Sequence, residues 1–492
     1  MKLAQLAARL PGAEVTGDPE LEITAVTHDS RRSGPGTLFV GIRGLVSDGN
    51  DFVLAARKKG AVAICSEGPP VGEGTWVRVA NARQALALFS AAVLGDPARS
   101  LDLVGVTGTN GKTTTSYLID SALRAAGEKV GLVGTVEYRI GNRVAEAVRT
   151  TPESSDLQAL LREMVDASCR RAVLEVSSHS LTLERVYGLE FKVAVFTNLT
   201  RDHLDFHGDM DAYFAAKRTL FEKLLTSDGH AILNLDDDRA SELARVSRGR
   251  VWTYSLENKQ ADLFAEQLRL GLDRTRLRAR TPAGVLELES ALVGRFNVAN
   301  MLAALGTGLA LGVPPEALQR GIANLEGVPG RMEKVALGQD FTVLVDYAHT
   351  DDALKNLLET VRGLGPRRVI TVFGCGGDRD RTKRPLMGAV AARLSDVVIL
   401  TSDNPRSEPP EAILDEIRRG IPASRAEDTL VIPDRREAIA RALEMGREGV
   451  VVVIAGKGHE TYQMLRDRTV PFDDRQVARD ALARLAGAGG KR

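Results

Sequence analysis

The run GVTGTNGKTTT at Gly105–Thr115 constrains this chain more than any other stretch. An apolar strand pattern, LDLVGVTG, enters it, and a helix pattern, TTTSYLIDSALRAAG, leaves it. Glycines in such a loop let backbone N–H groups converge on phosphate oxygens, and the helix points its positive end at the same place. Gly108, Thr109, Asn110, Gly111, Lys112, Thr113 and Thr114 are therefore the candidate phosphate contacts. Lys112 can neutralise a terminal phosphate, and the Thr113 hydroxyl is placed to hold a Mg²⁺ that bridges β- and γ-oxygens. The commonest spacing would put a first glycine where Val106 stands. A plain glycine turn opening a helix also explains the run, but the strand before it and the helix after it favour the phosphate reading.

The strand–helix alternation continues through RRAVLEVSS, FKVAVFTNL and HAILNLDD, the pattern of a parallel sheet covered on both faces. Before it, LEITAVTHDS, TLFVGI, AVAICSE and TWVRVA read as short strands of a smaller α/β unit ending near GDPARS. LFAEQLRLGLDRTRLRARTPAGVLELES reads as antiparallel strands inserted ahead of the helix FNVANMLAALGTGLALG. Beyond GVPGRME, four further strands run into loops: TVLVDYAH, RVITVFGCGG, DVVILTSDNP and GVVVVIAGKG. The fold class is α/β in three domains: a small N-terminal α/β domain over 1–98, a central P-loop parallel sheet over 99–328, and a Rossmann-like domain over 329–492. Only the tail AGAGGKR reads as lacking regular structure.

With 65 basic against 65 acidic residues, a broadly basic nucleic-acid or membrane-surface binder is disfavoured. Cys65, Cys169 and Cys375 are widely spaced, make no metal pattern and suit a reducing compartment. Met1–Gly12 lacks a signal-peptide core, and no run approaches the ~20 apolar residues that span a bilayer. The expectation is a cytoplasmic monomer without a membrane span or nucleic-acid partner.

Several further segments, taken with the loop, resemble the Mur ligase family. They are EVSSH at Glu175–His179, TNLTRDHLDFHG at Thr197–Gly208, YFAAKRTLF at Tyr213–Phe221, GRFNVANMLAA at Gly294–Ala304, GRME at Gly330–Glu333 and DYAHT at Asp346–Thr350. They occur in the family's order and cover nearly the whole chain. The resemblance implies an ATP-dependent amide ligase of peptidoglycan precursor synthesis with Lys112, Glu175, His203 and Lys217 as its catalytic set. Thr113, Glu175 and His203 would hold Mg²⁺, and Lys217, as a carbamate (N6-carboxylysine), would support a second Mg²⁺. Carbamylation needs a neutral amine, so the site must depress that lysine's pKa. By pattern alone, an amphipathic helix would show Lys217 to solvent, and His203 would be a capping residue. DHLDFHGDMD also admits a transition-metal site using His203 and His207. Asn297, Arg331 and Asp346 match nucleotide-contacting positions, with His349 close by. Asp351 stands where the family string DYAHTPD has proline.

For the nucleotide precursor, the resemblance implies a uridine-binding N-terminal domain with Ser30 of HDSR as a contact. Thr150, Thr151, Ser177 and Arg185 would meet the muramoyl dipeptide. Leu183 and Leu45 replace a glutamine and a histidine frequent in relatives. The turn Asp403, Asn404, Pro405, Arg406 is, read alone, a strand-ending turn. In the family it resembles the signature of diaminopimelate selection, extended by Glu408. Arg406 offers a planar fork for a distal carboxylate that L-lysine lacks. Arg379, Gly456 and Glu460 match other amino-acid-binding positions. The implied reaction joins meso-diaminopimelate to the D-glutamate of UDP-MurNAc-L-Ala-D-Glu: the γ-carboxylate attacks the γ-phosphate of ATP, and the amine attacks the resulting acyl phosphate. Ligation with L-lysine or another diamino acid is the nearest alternative, and folylpolyglutamate synthesis a more distant one. From other classes come a non-catalytic nucleotide-binding partner subunit and a P-loop motor or transporter ATPase. The joint presence of Lys112, Glu175, His203 and Lys217 disfavours the subunit, and the lack of a coupling domain or membrane segment disfavours the motor.

Overall fold

The computed structural model of the chain describes residues 1–44, 47–271 and 274–489, so Leu45 lies outside the described residues. Three large sheets follow one another along the sequence. The first has five strands in the order Glu14–Thr16, Thr75–Arg78, Ala63–Ser66, Thr37–Val40, Ala25–Thr27, parallel apart from Glu14–Thr16. The third has six, with Thr342–Asp346, Val450–Ala455, Arg368–Phe373, Val397–Leu400 and Thr429–Val431 parallel and the short Glu333–Lys334 antiparallel at one edge.

The central sheet has eleven strands and is parallel in its middle. Asp102–Thr107 lies between Arg171–Glu175 and Phe191–Phe196, pairing Val106 with Glu175 and Thr107 with Phe196. Three carboxyl ends therefore reach the same edge, where ligands of open α/β sheets collect. The strands Leu263–Leu270, Thr275–Thr281 and Gly284–Ser290 extend the sheet as an antiparallel meander just before the helix Arg295–Ala310, as the alternating charge pattern predicts.

Side chains alternate across this sheet. Val104, Val106, Val173 and Val195 pack under the helices Lys112–Ala125, Arg295–Ala310 and Pro315–Asn324. Leu103, Ala172, Leu174 and Phe196 pack on the opposite face with Leu157, Leu161 and Met164 of Ser154–Asp166. Burial on both faces explains why these strands read as unbroken apolar runs. It also explains Val106: the strand runs through Thr107, so the position belongs to the buried sheet and the turn starts only at Gly108.

The first part of the tail departs from expectation, while residues 490–492 lie outside the described residues. The helix Asp474–Gly489 continues through most of AGAGGKR, carried by alanine and leucine and docked by Val477, Ala478 and Leu482. Among the described residues, no helix is long and apolar enough to cross a membrane.

Candidate active site

The turn between Thr107 and the helix Lys112–Ala125 is only four residues long and tightly enclosed. Gly108 has φ +149°, and a Cβ there would sit 1.9 Å from Thr197 Oγ1. Gly111 has φ +87°, and its Cβ would meet Asn300 Oδ1 at 2.5 Å. Two amides of the loop are already used: Thr109 N donates to Asn198 O at 2.8 Å and Asn110 N to Asn198 Oδ1 at 2.9 Å. The first helical turn is different, because Gly111 caps it without a side chain. Its amides have no acceptor inside the helix, which leaves them free to donate to an anion at this end. Lys112 folds back, donating to Gly108 O at 2.9 Å and Thr109 O at 2.7 Å.

Glu175, fully buried at its strand end, is clamped from two sides. Thr113 Oγ1 and Thr135 Oγ1 donate to Oε2 at 3.0 and 2.9 Å, and Thr135 N donates to Oε1 at 2.9 Å. Lys217 does not face solvent. It is 1% exposed, lies over the Tyr213 ring at 4.3 Å, and donates to Gly108 O at 2.8 Å. Tertiary packing has overridden the surface position that the helical pattern of YFAAKRTLF predicts. Burial and the nearby Lys112 charge push the Lys217 amine well below the ordinary lysine range. Lys112 is also lowered by burial, with Glu175 and Asp202 pulling it back up.

His203 precedes the short helix Leu204–His207 with φ +55°, and its side chain caps nothing. Burial holds its imidazole down to about 3 against the opposing charge of Asp202, whose Oδ2 lies 3.4 Å from Nε2. His203 and His207 each pack a ring against His179, at 4.8 and 5.6 Å between centroids, and His207 Nε2 bonds Ser178 Oγ at 2.9 Å. Among the described residues, no group of three or more His, Cys, Asp or Glu side chains is arranged as a metal cluster, so the pairing of His203 with His207 gains no support. For a hard cation the donors present are oxygens: Thr113 Oγ1 and Glu175 Oε2, side by side at the head of the helix.

A cavity of about 420 Å³ joins these groups to the third unit. Lys112, Thr113, His203 and Lys217 line it from one side, and Arg331, Asp346 and His349 from the other. Arg331 stacks 4.6 Å over the Tyr347 ring and donates to Thr113 Oγ1 at 3.2 Å. Asp346 ends its strand with both oxygens committed, accepting from Met332 N and Ala348 N at 2.7 Å each. Burial raises its carboxyl pKa while Arg331 opposes. Asn297 is buried and does not line the cavity; it holds Asn300, whose Nδ2 donates to Asn297 Oδ1 at 3.1 Å. Asn300, one turn further along, faces the loop and accepts from Thr115 Oγ1 at 3.2 Å. The sequence reading also omits Thr135 and Asn198. Helical spacing from Asn297 could have found Asn300, but nothing local marks Thr135.

Thr135, Thr150 and Ser177 also line this cavity: the Thr150 and Thr135 hydroxyls lie 3.0 Å apart, and Thr151 Oγ1 donates to Glu175 O at 2.7 Å and lies 3.3 Å from Ser177 Oγ. Arg185 Nη2 pairs with Glu153 Oε1 at 2.8 Å, and Nη1 donates to Thr151 O at 3.2 Å. Ser30 is half-buried in the single turn Ser30–Arg32, whose neighbours Asp29, Arg31 and Arg32 share a second pocket with Glu153. Leu183 makes backbone bonds, its N–H donating to His179 O at 2.8 Å and its carbonyl accepting from Arg83 Nη1 at 3.3 Å.

In the third unit, Asp403 and Asn404 are buried and Arg406 is half-buried in left-handed backbone, φ +52°. Asn404 Nδ2 donates to Glu460 Oε2 at 2.9 Å, and Lys457 Nζ reaches both that oxygen and Asn404 Oδ1. Gly456 has φ +112°, and a Cβ there would lie 2.7 Å from Asp403 Oδ2. Pro405 O presses on Gly377, and Arg379 is exposed on the facing loop.

Comparison with known proteins agrees with this layout. The chain matches the Mur ligase family catalytic domain over residues 22–94, the Mur ligase middle domain over 106–308, and the Mur ligase glutamate ligase domain over 330–458. It is 51% identical to the UDP-N-acetylmuramoyl-L-alanyl-D-glutamate–2,6-diaminopimelate ligase of Solibacter usitatus, covering 94% of this chain and 95% of that one. The enzyme of the same name from Geobacillus thermodenitrificans is 47% identical, over 98% and 99%. A solved structure of a ligase of that name superposes with a TM-score of 0.71 at 34% identity, over 99% of both chains. The fold extends to folylpolyglutamate synthase of Mycobacterium tuberculosis, with a TM-score of 0.61 at 19% identity over 76% and 92%. The chain belongs to the Mur ligase family.

Proposed function

We propose that this chain is an ATP-dependent, ADP-forming ligase that joins meso-diaminopimelate to the D-glutamate of UDP-MurNAc-L-Ala-D-Glu in peptidoglycan precursor synthesis. The observation that carries this reading is the cavity where Lys112, Thr113 and Lys217 face Arg331 and Asp346 across two units. A carboxylate is a poor electrophile, so amide formation requires phosphoryl transfer first, and that chemistry is mainly alignment and charge neutralisation. The free amides of the first helical turn and the Lys112 ammonium hold the β- and γ-phosphates. Arg331 and its stacking partner Tyr347 hold the nucleotide from the opposite side. Thr113 and Glu175, with His203 nearby, supply the ligands for Mg²⁺, which when bound spreads the charge of the transferring phosphoryl group.

Lys217, as a carbamate, adds a carboxylate in the place where the unmodified amine now bonds Gly108 O. Thr150, Thr151, Ser177 and Arg185 orient the acidic dipeptide, and Ser30 meets the uridine end. Arg379, Asp403, Asn404, Arg406, Gly456 and Glu460 receive diaminopimelate. Two arginines on facing loops fit an amino acid with a second carboxylate better than L-lysine, because a desolvated arginine left unpaired is costly. We divide the chain at about residues 98 and 328 into precursor-binding, ATP-binding and amino-acid-binding domains, acting as a cytoplasmic monomer.

The test is ADP release from UDP-MurNAc-L-Ala-D-Glu and ATP with meso-diaminopimelate, L-lysine or L-ornithine as acceptor. Turnover dependent on meso-diaminopimelate is expected. Turnover with lysine and none with diaminopimelate rejects the assignment.

A further inference from the structure

Two loops of the third unit carry arginines assigned above to the amine substrate. Arg379 follows the strand Arg368–Phe373, and Arg406 follows Val397–Leu400. Both loops pass through left-handed backbone at a residue that is not glycine: Asp378 at φ +54° and Arg406 at φ +52°. Each such residue is strained and persists only where its surroundings hold it. The two guanidiniums also repel, since Arg379 is among the charges that lower the Arg406 pKa, after burial itself. The spacing of the two guanidiniums therefore depends on the ties between these loops.

A backbone bond joins them, from Gly377 N to Asn404 O at 2.9 Å, and Glu408 adds the charged tie. Its Oε1 accepts from Asp378 N at 2.6 Å and from Arg384 Nη2 at 2.8 Å, and its Oε2 accepts from Arg384 Nη1 at 2.8 Å. Arg384 has a side chain with no exposure, and it also reaches Gly376 O at 3.2 Å and Glu416 Oε2 at 2.8 Å. A carboxylate on the Arg406 loop is therefore tied to the backbone of the Arg379 loop, and both are tied to one buried guanidinium. The fork holds the Glu408 carboxyl down to about 2, so it stays ionised throughout the neutral range. Ser407 adds a second brace through its N–H and hydroxyl to Asp378. Arg406 Nη1 completes the link by donating to Gly377 O at 2.7 Å.

We propose that Glu408 is a positioning residue: its fork with Arg384 sets the spacing of Arg379 and Arg406 so that both reach the distal carboxylate of the acceptor amino acid, while Glu408 itself touches no substrate. Sequence alone groups Glu408 with the substrate-selecting turn and cannot separate these roles. The inference rests on the assignment of Arg379 and Arg406 to the amine substrate.

The test compares Glu408→Gln with the unaltered enzyme, using meso-diaminopimelate and L-lysine as acceptors, and reads lysine as a competitive inhibitor where its turnover is too slow. Only diaminopimelate has the distal carboxylate, so only its binding depends on the arginine spacing. Its KM is expected to rise about tenfold to a hundredfold, as for small misplacements of positioning groups. The lysine constant, the KM for ATP and kcat are expected to stay within about threefold. A contact between Glu408 and the amino-acid end shared by both acceptors would weaken both equally, and that result overturns the proposal. Ser407→Ala, at an exposed position, guards against a folding defect and should give a smaller shift in the same direction. An unchanged diaminopimelate-to-lysine ratio in both variants likewise rejects Glu408 positioning. Failure of the unaltered enzyme to use diaminopimelate would instead reject the functional assignment beneath it.

Discussion

Lys112 and Lys217 converge on a single acceptor: each ammonium donates to the carbonyl oxygen of Gly108, at 2.9 and 2.8 Å. Two buried cations at one oxygen favour loss of a proton, and Lys217 is the more strongly lowered. A neutral amine nitrogen adds to the carbon of CO₂, releases one proton to solvent, and becomes a carbamate anion that no longer repels Lys112. With ¹³C-labelled CO₂, a carbamate resonance is therefore expected in the active enzyme and absent in Lys217→Ala. That variant should lose about a hundredfold or more in kcat, typical for removal of one electrostatic stabiliser. A fully active enzyme without the resonance rules the modification out.

Thr135 carries a second prediction. It supplies two of the three hydrogen bonds to the Glu175 carboxylate, from its amide and its hydroxyl. Thr135→Val keeps the shape and the amide but removes the hydroxyl, leaving Oε2 to Thr113 alone. Loss of an orienting partner behind a metal-binding carboxylate typically costs about 10–100-fold in metal affinity or activity. The Mg²⁺ concentration for half-maximal ADP release should rise by that order, with the KM for diaminopimelate unchanged. An unaltered Mg²⁺ dependence would show that Thr135 does not serve the metal.

The contrast between Glu175 and Thr135 shows how far the chain can be read without coordinates. Strands buried on both faces leave a strong linear signal, so the phosphate loop, Glu175 and Asp346 could each be set at a strand's carboxyl end from sequence. Lys217 could not be turned inward by pattern, because its burial depends on Tyr213 and Gly108, the latter 109 positions away in the chain. Asn300 stands one helical turn from Asn297, and only the approach of Gly111 decides which faces the loop. Sequence attaches Glu408 to the substrate-selecting turn, whereas Arg384 looks like an ordinary surface charge, since the fork that joins them links a loop to a helix 24 positions apart.

His459 predicts an acid limit. Burial, with Arg331 and Arg475 close by, holds its imidazole down to about 3, whereas the unperturbed value is 6.5. Between those values the unfolded chain binds the proton and the folded chain does not. Stability therefore falls as pH drops through 6.5 toward about 3, and above 6.5 this residue adds no pH dependence. His459→Asn should flatten the decline of the thermal midpoint between about pH 6.5 and 5. Parallel curves for the two proteins would place the acid sensitivity elsewhere.

Arg435 and Asp474 form an ion pair with no exposed side-chain surface on either partner. The fork is two-pronged, Nε to Oδ1 at 2.8 Å and Nη2 to Oδ2 at 2.7 Å, and Nη2 also reaches Ala455 O at 2.9 Å. It ties the last helix to the end of the strand Val450–Ala455, just before the loop with Gly456 and Glu460. Asp474→Asn leaves a buried guanidinium without its counter-charge and should cost about 3–5 kcal/mol in urea unfolding. Arg435→Met combined with Asp474→Leu should cost less than Asp474→Asn alone, since neither charge then remains. If the double variant is the less stable, the pair's hydrogen bonds to backbone carbonyls outweigh its charges.

Asp351, which replaces the proline usual in similar ligases, pairs with a side chain of the central unit. Its Oδ1 accepts from Arg201 Nη2 at 2.8 Å, and Arg201 Nη1 also donates to Thr382 Oγ1 at 3.1 Å. The side chains are 31% and 24% exposed, so screening limits the pair to about 1 kcal/mol or less. Asp351 is also the first residue of the helix Asp351–Gly363, where both a carboxylate and a proline suit the backbone. Asp351→Pro should therefore leave thermal stability nearly unchanged while loosening the link between the central and third units. The KM for ATP should rise by less than about fivefold, the equivalent of 1 kcal/mol. Added salt should raise that KM in the unaltered enzyme more than in Asp351→Pro, because only the former has this pair to screen. An identical salt response in the two proteins would mean that Asn110 and Asp352, bonded at 3.0 Å across the same gap, hold the units together without Arg201.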